Sequence, residues 1–449
     1  MEPDRVSEDA VTVGTIVGRP KGNAPMETAY ATPTTRFLDE QISARLLDRR
    51  PDVMFAIFRN TVPNLVMPGR RPAIVTRFPD VQEVLQRPDI FTVTYAPMMD
   101  PSVGPFMLGR DGTEVNRRDK AIMMSIMSSR DMPKVRQIVA RLADEAVTPQ
   151  IDKRRIEVVN TVSRVVPMRL VNEYFGLKGV DVGTMMRWSK ATQYDMFHND
   201  LYSSPPGRLA RFPQIHLDNL AAGAEMRAHL AALIPRCRER LGDTPAPDDI
   251  LSRLLRTPFP DAIGFDEQRI AVNIMGTLVG AGETTSQAVA QILEQLFKRP
   301  VHLAGAVAAA KADDDALLFN YCWEALRFNP IFPGVFRRCV EDYTIARGTL
   351  RSRKIKAGKL VVAAIRSAMR DGREIPAAGT FCIDRPAHHY MHFGYGRHSC
   401  LGDQVSQVMV PETVKRLLKL PGLRPVAPID RRGGPWPEEY VVEFDLPLN

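Results

Sequence analysis

A chain of 449 residues, 44% apolar and 25% charged, has the composition of an ordinary globular protein and is long enough to enclose a cavity. Its 60 basic and 52 acidic residues leave a net charge of +8 that is dispersed rather than gathered in a tail, which argues against a nucleic-acid binder and leaves an acidic protein partner open. The five cysteines are scattered, odd in number and without a CxxC pair, which argues against a disulfide framework or a structural zinc site and fits a reducing cytoplasm.

The opening MEPDRVSEDAVTVG is charged and reads as neither a secretory signal nor a membrane anchor. Residues 1–35 lack periodicity and are expected to form a flexible leader, with 36–449 as a single domain. PAIVTRFPDVQEVL (72–85) predicts a short strand, a turn and a helix. FTVTYAPMMDPSVGPFMLGRDG (91–112) is an irregular loop of the length that often carries function. From 114 to 240 the pattern is mostly helical, broken at YSSPPGRLARFP (202–213), where Pro205, Pro206 and Pro213 cannot sit inside a helix. One long helix is predicted over 265–299, with Asp266 as N-cap and Pro300 as terminator. Its apolar part, AVNIMGTLVGAG (271–282), falls short of the roughly 20 apolar residues of a membrane span. A further helix over 313–330 ends at Pro330. Short strand-like runs follow, KLVVAAI among them, then a helix after Cys400 and a β tail, EYVVEF. Helix dominates a minor sheet, so a mainly α, α+β protein is expected.

The stretch HFGYGRHSCLG (392–402) sets one cysteine behind a glycine-rich, basic approach. The chemistry that needs a lone thiolate in such a loop is axial ligation of a haem iron, because glycines let backbone approach a flat macrocycle. A buried cysteine after a glycine turn is the plainer alternative. In the long helix, GAGETTSQ (280–287) interrupts an apolar run. Mid-helix glycine costs up to about 1 kcal/mol against alanine, and close approach of a flat ligand would compensate. Glu283 and Thr284 set an acid beside a hydroxyl.

FGYGRHSCLG resembles the haem-binding signature of the cytochrome P450 family, F-G-x-G-x-[HR]-x-C-x-G, at Phe393, Gly394, Gly396, His398, Cys400 and Gly402. Gly280 to Thr285 resemble the family motif [AG]-[GA]-x-[DE]-T-[TS], and EALR, with Glu324 and Arg327, resembles E-x-x-R. Arg337 in FRRCVED resembles a propionate-binding arginine, SAMRD resembles S-A-N-R-D with Met369 for Asn, and FCIDRP resembles F-x-x-x-R, giving Arg385. The resemblance, from about residue 70 onward, implies the family's helix-rich triangular prism with a small β region.

It further implies haem b ligated by Cys400, with His398 and Arg337 on the propionates, Phe393 beside the sulfur and Gly394 in the loop. Thr284 and Glu283 would pass protons to bound dioxygen. The implied activity is that of a soluble, bacterial-type haem-thiolate monooxygenase in the cytoplasm, inserting one oxygen atom of O2 into a mostly apolar small organic substrate in secondary or xenobiotic metabolism. Ferredoxin and ferredoxin reductase would supply electrons, with no nucleic acid and no membrane span. A peroxygenase, isomerase or dehydratase on the same scaffold is the alternative, and a non-catalytic haem carrier or sensor a more distant one. By the same analogy Met98, Met99, Phe106, Met107, Met275 to Val279, Ile331, Phe332 and Val335 line the pocket, although the methionines read equally as core.

The chain also departs from the pattern. Where the family carries H-x-x-x-R, DGTEVNRRDKAIM (111–123) places Val115 and Asp119, leaving Asn116 with Lys120, or Arg117 with Arg118, as substitutes. The arginine that joins the Glu–Arg pair falls at Thr380. His388 and His392 in HHYMH have a zinc-like spacing, but the segment is expected to be non-helical and without metal.

Overall fold

The side chain of Asp266 accepts a hydrogen bond from the Arg269 main-chain nitrogen (2.8 Å), satisfying one of the free donors at a helix start. The helix it opens runs 31 residues, Glu267–Phe297, and Pro300 opens the next one. The structure, a computed structural model, describes residues 51–69, 71–197, 199 and 213–446. The expected leader and residues 202–212 of the proline loop lie outside the described residues. Pro213, expected in that loop, is instead the first residue of a helix, where its missing N–H would have no helical partner.

In chain order the main elements are α1 (Pro51–Thr61), β1 (Asn64–Val66), β2 (Ala73–Val75), α2 (Phe78–Gln86), β3 (Phe91–Thr92), α3 (Glu114–Ile126) and α4 (Met132–Val147). Next come β4 (Arg155–Glu157), α5 (Val165–Glu173), α6 (Val182–Phe197), α7 (Pro213–Glu239), α8 (Ile250–Arg256) and α9 (Glu267–Phe297). They are followed by α10 (Pro300–Lys311), α11 (Asp315–Phe328), β5 (Val335–Cys339), β6 (Tyr343–Ile345), β7 (Arg353–Ile355) and β8 (Leu360–Ala363). Last are α12 (Asp403–Leu418), β9 (Arg424–Pro425) and β10 (Val441–Glu443).

Five strands form one sheet in the order β1-β2-β8-β5-β3, with β2 and β8 parallel and Ala73 opposite Val361. The β tail pairs with β4 and β9 in a second sheet, and β6 pairs with β7. Helix α9 is the axis of the core and packs against α5, α6, α11 and α12. Asp119 of α3 ties down its first turns by accepting from Arg269 Nε and Asn273 Nδ2, each at 2.9 Å. Among the described residues no helix is long and apolar enough to cross a membrane.

The expected pocket lining needs correction. Met98, Met99, Phe106, Met107, Met275 and Val279 are all at most 4% exposed and belong to the core. The cause lies in the backbone of the 91–112 loop. Its carbonyls at Met98, Pro105 and Met107 accept hydrogen bonds from Asn219, Arg269 and Asn116, which fixes the loop down over α9 and turns its apolar side chains inward. Gly276 permits this approach, since a Cβ there would overlap the Phe106 ring. Gly276→Ala is therefore expected to cost about 1–3 kcal/mol by overpacking, read as a lower urea midpoint at unchanged slope.

Candidate active site

The loop around Cys400 is closed by its own backbone. Cys400 N donates to Phe393 O (2.8 Å) and Ser399 N to Gly396 O (3.1 Å). Gly394 and Gly396 take φ of 75° and 70°, a region that L side chains avoid. A Cβ at Gly396 would also meet Leu85 O at 2.8 Å, so this glycine sets how closely α2 lies against the loop. The Cys400 side chain is left accessible, with α12 beginning at Asp403. Protein still surrounds it closely: burial pushes the thiol up to about 11, against the Gly402 N–H and the Lys120 charge. The Phe393 ring lies 5.8 Å from that of Trp323. His392 Nε2 is paired with Trp323 O (2.9 Å), and burial pushes that imidazole down to about 3. No cluster of three or more His, Cys, Asp or Glu able to hold a metal occurs among the described residues.

The central part of α9 is buried except at Thr277, Gly280, Ala281 and Thr284. Their i, i+3, i+4, i+7 spacing makes one accessible stripe. No atom lies within 4 Å of where a Gly280 Cβ would stand, so the stripe borders open space. Gly282, by contrast, is buried against Ser189 of α6. Thr284 Oγ1 donates to Gly280 O (2.6 Å) and Thr277 Oγ1 to Asn273 O (2.9 Å), so both hydroxyl hydrogens are spent on the helix itself.

Glu283 lies on the buried side. Its Oε2 accepts from Arg164 Nη2 (2.6 Å) and Nε (3.1 Å). Burial raises the Glu283 carboxyl above its usual range despite that arginine. Arg164 follows a π-helical turn, Val159–Ser163, and also meets Glu438, which Lys190 (2.7 Å) and Tyr194 share. The Lys190 side chain is 43% exposed, so this chain of ionic groups runs from α9 to solvent. Arg164 Nη2 further donates to Pro437 O (2.8 Å), while Arg431 Nη1 joins Gln287 Oε1 (2.8 Å) to Pro435 O (2.7 Å). The loop carrying Trp436 is thus clamped to α9 at Glu283 and Gln287, on either side of Thr284. Sequence reading missed Arg164, Arg431 and Glu438. Their partners lie up to 274 positions away, and no local pattern marks them.

Arg337 is buried in β5, donates to Phe336 O (2.7 Å), and has no carboxylate partner among the described residues. Burial lowers its pKa, as it does for a cation lacking a counter-ion. His398 Nε2 is held by Asp111 Oδ1 (2.9 Å), and its Nδ1 is buried without a partner. Asp111, which also binds Val93 N, therefore already occupies one of the two nitrogens expected to face a propionate.

Behind these groups Glu324 and Arg327 are fully buried and doubly bonded, at 2.6 and 2.8 Å. Their third member is Arg385, whose Nε reaches Glu324 Oε1 (3.1 Å). That corrects the assignment to Thr380, which contributes only its carbonyl, accepting from Arg327 and Arg385. A backbone acceptor needs no particular side chain, so threonine serves there. Met369, in place of the usual asparagine, accepts the Met391 N–H on its sulfur (3.2 Å). The candidates at 115–120 take separate partners, Arg117 bonding Gly112 O and Arg118 bonding Asp119 and Ile263 O. Asn116 bonds Met107 O, Asp119 bonds α9, and Lys120 reaches the Cys400 loop.

A flat, metal-bearing macrocycle with carboxylates would satisfy Arg337, cover the bare stripe of α9 and give the accessible sulfur a partner. The class of protein this fits is the haem-thiolate oxidoreductases. The family model for Cytochrome P450 matches residues 52–420. The chain therefore belongs to the cytochrome P450 family, with its haem cofactor and monooxygenase chemistry, and is of the bacterial type.

It is 26% identical over 367 residues to the mycinamicin IV hydroxylase/epoxidase of Micromonospora griseorubida, covering 79% of this chain and 84% of that protein. It is 24% identical over 354 residues to the steroid C26-monooxygenase of Mycolicibacterium smegmatis, covering 78% and 81%. Among solved structures it resembles CalO2, with a TM-score of 0.74 at 21% identity over 89% of this chain and 97% of that one. It also resembles P450BioI in complex with an acyl carrier protein ligated to hexadec-9Z-enoic acid, with a TM-score of 0.73 at 18% identity over 90% and 100%.

Proposed function

We propose that Cys400 ligates the iron of haem b and that this site oxygenates an uncharged, ring-bearing apolar molecule of secondary metabolism. The observation that carries the assignment is the accessible Cys400 side chain at the closed end of a loop that matches the family signature. Arg337 and the free nitrogen of His398 suit the haem carboxylates, while Phe393 and Gly394 shape the sulfur side. When bound, the haem supplies dioxygen activation and substrate oxidation.

The protein's own residues manage protons and orientation. The hydroxyl hydrogen of Thr284 rests on Gly280 O, which leaves its oxygen lone pairs to accept a proton donor. Glu283 is the group of this ionic chain on α9 able to take and give a proton, while Arg164 keeps its charge and orients it, with Glu438 and Lys190 behind. Thr284→Ala is expected to lower product formed per electron consumed by about a hundredfold, the lower range for a positioned proton-transfer group, with little change in substrate affinity. Parallel measurement of product and reductant consumption checks it.

The substrate assignment rests on an aromatic wall. Phe197 lies 4.9 Å from Phe332 and 6.4 Å from Tyr95, and Trp436 backs Phe332 at 5.5 Å. Tyr95, Phe197 and Phe332 are only partly buried, and the Tyr95 hydroxyl is spent on Leu108 O (2.6 Å). Such a wall offers ring faces and no charge. Relatives named for hydroxylation and epoxidation of natural products support the same reading.

A ferredoxin with its reductase is the proposed electron source, in keeping with a net charge of +8 against an acidic partner. The cytoplasm is the proposed location, and residues 36–449 the proposed haem domain. The test is an optical titration of the ferric protein with ring-bearing and open-chain apolar compounds. A saturable low-spin to high-spin shift with ring compounds, followed by ferredoxin-driven oxygenation of the same compound, supports the reading. Shifts with open chains alone would remove the aromatic-wall argument.

A further inference from the structure

Lys120 lies one residue past Asp119, which stands where the family carries its arginine, and the Lys120 side chain turns to the thiol loop. Its ammonium donates to Arg397 O (2.8 Å), Ser399 O (2.7 Å) and Ser399 Oγ (3.0 Å). An ammonium has three hydrogens, so its donors are fully committed to the thiol loop. No carboxylate pairs with it among the described residues, and the side chain is half-buried, so solvent screens its charge only in part. The Ser399 carbonyl it grips belongs to the same peptide group as Cys400 N, which donates to Phe393 O (2.8 Å). A fixed charge thus sits within one peptide of the sulfur.

We propose that Lys120 is a positioning residue that fixes the Cys400 loop and, through its charge, raises the reduction potential of the bound haem. The proposal rests on the haem-thiolate reading of Cys400. A positive charge beside the ligand favours whichever state holds one more electron, so the ferrous form gains. The same charge draws electron density from the sulfur.

The test uses haem-loaded full-length protein with Lys120→Gln, Lys120→Met and Lys120→Arg, the methionine variant serving as the neutral partner where glutamine fails to load. Spectroelectrochemistry reads the ferric–ferrous potential, and the carbon monoxide difference spectrum reads thiolate ligation. The neutral variants are expected to lose about tenfold in the ferrous-to-ferric ratio at fixed potential, 59 mV for one electron. They are also expected to show part of their carbon monoxide band in the form without thiolate, while Lys120→Arg stays near wild type. A neutral variant with an intact thiolate band and an unchanged potential overturns the proposal. Equal shifts in the arginine and neutral variants overturn it too, because they would show a role of shape rather than charge. A wild-type protein lacking the thiolate band would instead sink the haem-thiolate reading itself.

Discussion

Cys400→Ala is expected to abolish the thiolate-type carbon monoxide band and reduce product formation to background, while the helical circular dichroism of the protein is retained. The two halves of this expectation have separate physical causes. The side chain of Cys400 is accessible, so its removal leaves no unfilled core cavity of the kind that makes large-to-small substitutions costly. The loop is closed by the main chain between Cys400 and Phe393, which alanine preserves. The function, in contrast, depends on that one sulfur. The other described cysteines give no substitute: Cys322 and Cys339 are buried, and Cys237 and Cys382 lie outside the glycine loop. Persistence of the thiolate band in Cys400→Ala would show that another residue ligates the iron.

Arg327→Ala is expected to be the most destabilising single substitution discussed, at about 3–5 kcal/mol, because it strands a buried charge. Glu324 and Arg327 are both fully buried, and the guanidinium also holds Met369 O (2.9 Å) and Ala378 O (2.7 Å). Its loss leaves Glu324 with Arg385, Tyr390 and the Cys382 N–H, none of which replaces a doubly bonded arginine. Against a typical total stability of about 5–15 kcal/mol, that is a large share. Arg385→Ala should cost less, since it makes a single contact with Glu324 (3.1 Å). Urea unfolding of the two variants compares them. A smaller loss for Arg327→Ala than for Arg385→Ala would overturn this ranking.

The parts of the site that were legible in the sequence are those written in short, contiguous patterns. Cys400 with its glycines, the Asp266 cap of α9 and the Gly280–Thr285 interruption all sit where local spacing places them. The parts that were not legible depend on distant partners. Thr380 and Arg385 lie five residues apart in one loop, and only the geometry of Glu324 tells which one completes the triad. The methionines of the 91–112 loop have the composition of a pocket lining, and they become core because three carbonyls of that loop are pinned from α3, α7 and α9. Glu283 and Thr284 are neighbours in sequence, yet the helix turns one toward Arg164 and leaves the other on the accessible stripe.

The clamp on α9 also sets an order of events in time. Arg164 and Glu438 are 274 positions apart, and Lys120 and Ser399 are 279 apart. Contacts so distant along the chain form late, because much chain must be ordered before they reward the closure. A ribosome delivers the α3 and α5 sides of these pairs long before their partners, and early segments begin to fold first. The thiol loop and the loop carrying Trp436 both come from the later part of the chain, so neither the Lys120 contact nor the clamp on α9 can form until those segments are made.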